Sequence, residues 1–481
     1  MIRCIAILFR IILSDRLGAQ GVGLYQLIMS VYGVFLTLVT SGISLCTTRV
    51  FGEYAAVGEY SKGKYCVEKY IVFSFISGLA AGGLMLSTAE LTGAFILKDE
   101  RTVLPLMLLA PALPLMAVSS CIRGYFFARR KTIQTAGEQL LEQVTEVLCF
   151  LTLFIFVEPR NVSEACAMAV IGTTAAEFVS FFYALFFYWY DMRKLCTVSE
   201  KTVGLIKKTT AILLPVCANS LTRSGLSAVE NILVPFGLNR YGNSRSDSLA
   251  AYGTVSGMSM PLYLLPSVPI TPFSSLMIAE IAEARVTDRK KDIRRMTERS
   301  FGITLCYSIP VMVMFIAFAV PLCRMLYGSD SAGMYLAILA PVIPLTYLDS
   351  LVDAILKGMN EQTSYFVFNT IDSAVRVILT FTLLPVFGIA GFLAVIIISE
   401  LLNSLLSIGR LIRVTSFKIH FIENILRPFI CITVPVVFVR LIPQTSQSGV
   451  GTVISMIFCI VCYLLLLRMT KRYGPEKVRT F

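Results

Sequence analysis

Charge is scarce in this chain. Only 15% of its 481 residues are Asp, Glu, Lys or Arg, and it has one histidine and one tryptophan. A soluble body of this length needs far more polar surface, so the bilayer must be the solvent for most of the chain. The single His420 lies in a polar loop, which leaves histidine acid–base catalysis without support. No Gly-rich phosphate loop ending in Lys-Ser/Thr is present, so P-loop ATP hydrolysis is not expected. No metal-ligand cluster and no nucleophile–base arrangement stands out, and the chain reads as no enzyme. The 13 cysteines are scattered. Their one close pair, Cys459 and Cys462, falls inside the last apolar segment and reads as small buried hydrophobes.

What is present is apolar length. Hydrophobic residues make up 56% of the chain and the mean hydropathy is +0.76. Fourteen segments are long enough, or nearly so, to span: 1–14, 24–48, 70–95, 103–123, 136–157, 164–189, 210–238, 249–279, 300–326, 334–356, 363–386, 389–411, 427–442 and 449–468. The expected fold is an all-α polytopic membrane protein of about 14 transmembrane helices. The first segment would rise only about 20 Å against a hydrocarbon core of roughly 30 Å. It carries Arg3 and Arg10, and reads as a helix missing its cytoplasmic end.

The net charge of +12 is a matter of topology. Alternate loops hold 30 of the 42 lysines and arginines, and the opposite loops hold 8. This is the positive-inside pattern, with both termini cytoplasmic and anionic lipid headgroups as partners. Nucleic acid is not among the expected partners.

The chain also repeats itself. Leu108-Leu-Ala-Pro-Ala-Leu-Pro-Leu115 recurs as Ile338-Leu-Ala-Pro-Val-Ile-Pro-Leu345, an offset of 230. Glu142–Leu148 aligns with Asp372–Ile378 at the same offset, and Tyr25 with Tyr252 at 227. Six spans separate the copies, so they share one orientation. The expected organisation is an N-terminal six-helix lobe (1–190), a cytoplasmic linker (191–209), a C-terminal six-helix lobe (210–412), two further helices (427–468) and a tail (469–481). Parallel repeats predict a pseudo-two-fold along the membrane normal with a cavity between lobes, the usual build of a rocking transporter. The eighth segment carries Pro261, Pro266, Pro269 and Pro272, which must kink or break it.

Charges inside spans cost roughly 2.5–3.5 kcal/mol each at the bilayer centre, so they mark function by default. Arg10, Arg16 and Arg223 are cationic candidates for an anionic cargo, since guanidinium groups bind phosphates bidentately; structural pairing or snorkelling is the alternative. Glu138, Glu142 and Glu146 form an acidic stripe at i, i+4, i+8 on the fifth span. The repeat places Asp372 opposite Glu142 and Arg376 opposite Glu146, so these four, with Glu230 and Asn369, are candidates for coupling or for a lobe-to-lobe lock. Glu230, Asn369 and Asp372 offer an oxygen-rich set for Na+, with ordinary buried hydrogen bonding as the alternative.

The opening Phe9-Arg-Ile-Ile-Leu-Ser-Asp-Arg-Leu-Gly-Ala-Gln-Gly-Val-Gly-Leu-Tyr-Gln-Leu27 resembles the first-helix signature of one family of exporters. Arg123-Gly-Tyr-Phe-Phe127, Thr135–Gln143 and Arg223–Pro235 extend the likeness over essentially the whole chain. The family is the polysaccharide transporter, stage V sporulation protein B-like branch of the multidrug/oligosaccharidyl-lipid/polysaccharide (MOP) exporter superfamily, related to lipid II flippases. The resemblance implies a flippase that moves an anionic lipid-linked oligosaccharide, a peptidoglycan or other envelope precursor, across the bacterial cytoplasmic membrane by alternating access. It also implies a cargo role for Arg10 and Arg16, which are spaced six apart ahead of Gly18-Ala19. It implies coupling to Na+ or H+ through carboxylates on helices 7 and 11, no other cofactor, and envelope-synthesis enzymes as partners. The lipid II flippases also carry arginines on helices 2 and 8, which this chain lacks inside those spans. A cation-coupled multidrug antiporter of the same superfamily and a non-transporting envelope or spore scaffold are the alternative readings.

Overall fold

The computed structural model describes residues 2–195, 200, 205–441 and 449–472. The expected linker and C-terminal tail therefore lie partly outside the described residues, as do 442–448. In chain order the helices are α1 (Ile2–Thr40), α2 (Ile43–Ala56), α3 (Tyr60–Leu91), α4 (Val103–Leu109), α5 (Ala112–Ala128), α6 (Thr132–Phe156), α7 (Val162–Leu195) and α8 (Leu205–Arg240). They continue as α9 (Arg245–Tyr252), α10 (Met260–Leu264), α11 (Ile270–Val286), α12 (Lys290–Tyr327), α13 (Asp330–Leu339), α14 (Ile343–Gly358), α15 (Gln362–Thr415), α16 (Arg427–Arg440) and α17 (Gly449–Arg472). No strand occurs among the described residues.

Nine described helical stretches are long and apolar enough to cross a membrane, and two bent pairs raise this to eleven. Two of the nine, Ile5–Ala56 and Gln362–Thr415, have 52 and 54 residues, ample for two crossings each. Each holds a left-handed glycine inside it: Gly18 (φ 66°) in α1 and Gly388 (φ 58°) in α15. Only glycine takes this backbone cheaply, and both fall between expected spans. With α8 over the expected seventh segment, the described residues of all fourteen segments fall largely on helix. The protein is an all-α, multi-pass membrane protein.

The prolines break the eighth segment, but the two copies of the repeated motif behave differently. Pro111 sits at the joint between α4 and α5, which bend by 45°; Pro341 sits in the short 3-10 turn that joins α13 and α14 without comparable bending. The four-proline segment breaks into α9, a π-helical turn at 253–259, α10, a 3-10 turn and α11, bent by 47°.

The chain divides into two compact units, Met1–Phe236 with Ser244–Gly253, and Gly237–Asn243 with Thr254–Phe481. In the first, α2, α3, α5 and α7 enclose a core of Phe51, Tyr70, Ile122, Tyr125 and Tyr188. Small residues let backbones meet there: a methyl on Gly23 would sit 2.0 Å from the Leu249 carbonyl oxygen, so α1 and α9 pack backbone to backbone. Beside α9, buried Asp99 accepts from Arg101 Nε at 2.9 Å and Nη2 at 2.7 Å, with Arg245 Nε at 3.5 Å. Burial opposes the Asp99 charge, but the Arg101 hydrogen bonds outweigh it and hold the carboxyl below the usual carboxylate range.

In the second unit α11, α12 and α14 pack around Ile281, Phe301, Leu351 and Ile355, while α16 and α17 lie on α12 around Phe318, Ile432 and Cys459. Glu361 accepts from Arg410 Nη2 at 2.8 Å. The Arg410 guanidinium, then the Ser364 hydroxyl, hold the Glu361 carboxyl below its ordinary range.

Candidate transport cleft and buried charge cluster

α1 and α8 enclose a cleft of about 650 Å³ within the first unit. Eight hydroxyl or amide side chains from these helices carry its chemistry: Gln26, Ser30, Thr37 and Thr40 on α1, with Ser220, Ser224, Ser227 and Asn231 on α8. Arg223 is the cation on its wall, exposed to the cleft. The two helices are tied across it: Thr37 Oγ1 donates to Ser224 Oγ at 3.1 Å, and Ser224 Oγ donates to the Gly33 carbonyl at 3.3 Å. Cys217 Sγ reaches the Ser41 carbonyl at 3.0 Å. Short polar side chains on both helices satisfy one another or the preceding turn, and so leave room for a ligand that is itself rich in hydroxyls.

The other candidate arginines are placed elsewhere. Arg10 is half-buried, and its electrostatic neighbours are Glu146 and Tyr25, not the cleft lining. Arg16 is exposed and stands 3.9 Å from Asp15, just before the Gly18 break. Glu230 is buried two turns beyond Arg223 on α8.

Glu138, Glu142 and Glu146 come together as the stripe predicts. They lie on α6, the most extensive partner of α7, and meet a fourth carboxyl there, Glu177. Glu138 is buried and lies 3.4 Å from Arg123 Nη1. Glu146 accepts from Thr173 Oγ1 at 2.9 Å and Gln143 Nε2 at 3.1 Å. Arg123 and Glu177 were not among the residues the spacing singled out. Glu177 had a readable signal, an acid alone in an apolar span. Arg123 reads in the sequence as one more loop cation.

In the second unit Asp372 accepts from Ser399 Oγ, and Asn369 Nδ2 donates to the Tyr365 carbonyl at 3.0 Å. Arg376 and Asp372 are both electrostatic neighbours of Glu400, as is Asp349 of α14. Glu400, like Glu177, escaped the stripe reading. Of the three residues proposed for Na+, Asn369 and Asp372 belong to this unit and Glu230 to the other. Among the described residues no group of three or more His, Cys, Asp or Glu side chains converges to hold a metal ion.

The sequence profile described as Polysaccharide biosynthesis protein matches residues 1–277, more than half of the chain. The chain belongs to the polysaccharide biosynthesis protein family. A second profile, MatE, matches residues 215–382. Stage V sporulation protein B of Bacillus subtilis (strain 168) is 25% identical over 431 residues, covering 88% of this chain and 83% of that protein. Lipid II flippase MurJ of the same organism is 22% identical, covering 81% of this chain and 76% of that protein. Among solved structures, a lipid II flippase MurJ in an inward closed conformation matches with a TM-score of 0.73 at 16% identity, over 98% of both chains. An inward-facing MATE family transporter of the MOP superfamily matches at 0.70 and 13% identity, over 86% of this chain and 95% of that one. This polysaccharide biosynthesis family member has the transporter fold of the MOP superfamily.

Proposed function

We propose that the protein is a flippase for an anionic lipid-linked saccharide, an envelope precursor, in the bacterial cytoplasmic membrane. The observation that carries this reading is the α1–α8 cleft, whose hydroxyl and amide side chains surround Arg223. Sugar hydroxyls exchange hydrogen bonds with Ser, Thr, Asn and Gln, and a phosphate takes the guanidinium. Relatives named as a lipid II flippase and a stage V sporulation protein support the cargo class. On this reading the termini are cytoplasmic, the cargo enters from that side, the lipid tail stays in the bilayer, and the membrane potential or an H+ or Na+ gradient drives alternating access. Arg223 takes the leading cargo role among the three arginines, because it lines the cleft.

The test is flipping of a fluorescent lipid-linked saccharide by the full chain in liposomes. Arg223→Ala removes a charge-assisted contact of about 1.5–3 kcal/mol, which is roughly a ten-fold or greater loss of flipping. An unchanged rate would remove Arg223 from the cargo site. The MatE profile over 215–382 favours a second reading, a cation-coupled drug antiporter. Efflux of cationic dyes without lipid flipping would select it.

A further inference from the structure

The buried charge of the first unit does not balance. Glu138, Glu142, Glu146 and Glu177 face one another across α6 and α7, and the guanidiniums that reach them are Arg123 of α5 and Arg10 of α1. Four carboxyls against two arginines leave an excess of two negative charges among these described groups, which a low-dielectric interior does not hold uncompensated.

Three buried polar atoms in and beside the cluster point to what is missing. Glu177 is 3% exposed and its Oε2 has no hydrogen-bond partner. Tyr32 of α1 is 2% exposed, its hydroxyl likewise has no partner, and its nearest charges are Glu177 and Glu142. Glu146 is engaged by Thr173 and Gln143, whereas Glu138 meets Arg123 as an ion pair and its Oε1 has no hydrogen-bond partner either; Tyr32 places open capacity beside Glu177 and Glu142. The carboxyls do not converge into a metal cage, which favours the smallest cation. The remaining titratable groups facing the cluster are Tyr25 of α1 and Tyr183 of α7.

We propose that Glu142 and Glu177, with the Tyr32 hydroxyl beside them, form a proton-binding site inside the first unit, and that its occupancy is linked to the transport cycle. The link rests on the transporter reading; the site itself does not. Arg10 is then a positioning residue for Glu146 and not a cargo ligand.

Proton occupancy is read without any cargo, by the infrared C=O band of protonated carboxyl groups in the full chain reconstituted at neutral pH. The wild type shows such a band. Glu142→Gln and Glu177→Gln each reduce it by about half, the double variant loses it, and Glu177→Asp retains it, with melting curves confirming that each variant is folded. An absent wild-type band, or a full band in the double variant, overturns the proposal. Saturable 22Na+ binding that Glu177→Gln abolishes also overturns it, in favour of a sodium site. In liposomes that flip lipid-linked saccharide, an imposed pH gradient should change the wild-type rate several-fold and leave Glu177→Gln unmoved. An equal response in both would sever the site from transport, whereas no flipping by any variant would sink the cargo reading and leave the spectral result standing.

Discussion

The two units place acids on corresponding helices but balance them differently. In the first, the fifth and sixth expected spans are separate helices, α6 and α7, carrying Glu138, Glu142, Glu146 and Glu177; their counter-charges come from α5 and α1. In the second, the eleventh and twelfth spans are the two limbs of α15, carrying Asp372 and Glu400, with Arg376 one turn from Asp372 on the same limb. A counter-ion at i+4 is fixed by the helix itself, whatever the neighbours do. One supplied by another helix exists only while the helices stay packed. The first unit therefore couples its charge state to its packing, whereas the second places a cation one helical turn from its acid.

The largest expected effect breaks that difference directly. Arg123→Ala leaves the 1% exposed Glu138 beside no guanidinium. Removing one partner of a buried pair costs about 3–5 kcal/mol. Melting in detergent should show a large fall for Arg123→Ala and recovery of much of it in Arg123→Met combined with Glu138→Gln. A small loss in the single variant would mean that Glu138 does not depend on its partner helix.

Thr173→Val comes next. It keeps the shape of the side chain and removes the 2.9 Å hydrogen bond to Glu146, worth about 1–3 kcal/mol when a buried acceptor is left short. The matching change in the second unit is Ser399→Ala, which deprives Asp372 of its donor. If the local Arg376 compensates Asp372, Ser399→Ala should cost less than Thr173→Val in the same melting assay. Equal losses would erase the distinction between the units.

Much of this was legible in the chain, for physical reasons. Hydropathy and proline placement are local properties, so the fourteen segments and the broken eighth span follow from sequence alone, whereas the repeated Ala-Pro-x-x-Pro motif bends at Pro111 and not comparably at Pro341. The i, i+4, i+8 stripe on α6 is likewise a property of one helix. Arg123 and Glu177 belong to the same cluster through contacts between helices, which no spacing rule encodes, and Glu400 escaped for the same reason. The cleft is an intermediate case. Arg223 was visible as a charge in a span, but the hydroxyls from Ser30 to Thr40 and from Ser220 to Asn231 acquire meaning only once α1 and α8 are seen to face each other.

Outside the spans, Asp99 extends the comparison to pH. Its folded carboxyl lies below the ordinary Asp value of about 3.9, so the stability it contributes is complete above that value. That contribution is lost as pH falls through the lowered folded value. The Tm gap between wild type and Asp99→Asn should stay constant from neutral pH to about 4 and then close. A gap that persists at the lowest pH would show that shape, not charge, carries the Asp99 contribution.

Glu361 provides the smallest effect and the control for all the others. Its carboxyl is also lowered, by Arg410 first and then Ser364, so the sign is that of Asp99: stability present above the ordinary Glu value, near 4.3, and lost below it. The difference is solvent. The Glu361 and Arg410 side chains are 25% and 37% exposed, against 5% for Asp99. Water and salt screen the exposed pair, which discounts it to no more than about 1 kcal/mol. Glu361→Gln should therefore move Tm slightly at low ionic strength and hardly at all in high salt, while the Asp99→Asn gap survives the same salt. Equal salt sensitivity at both sites would mean that Asp99 is as wet as Glu361, and that depth in the first unit protects its charges less than the packing implies.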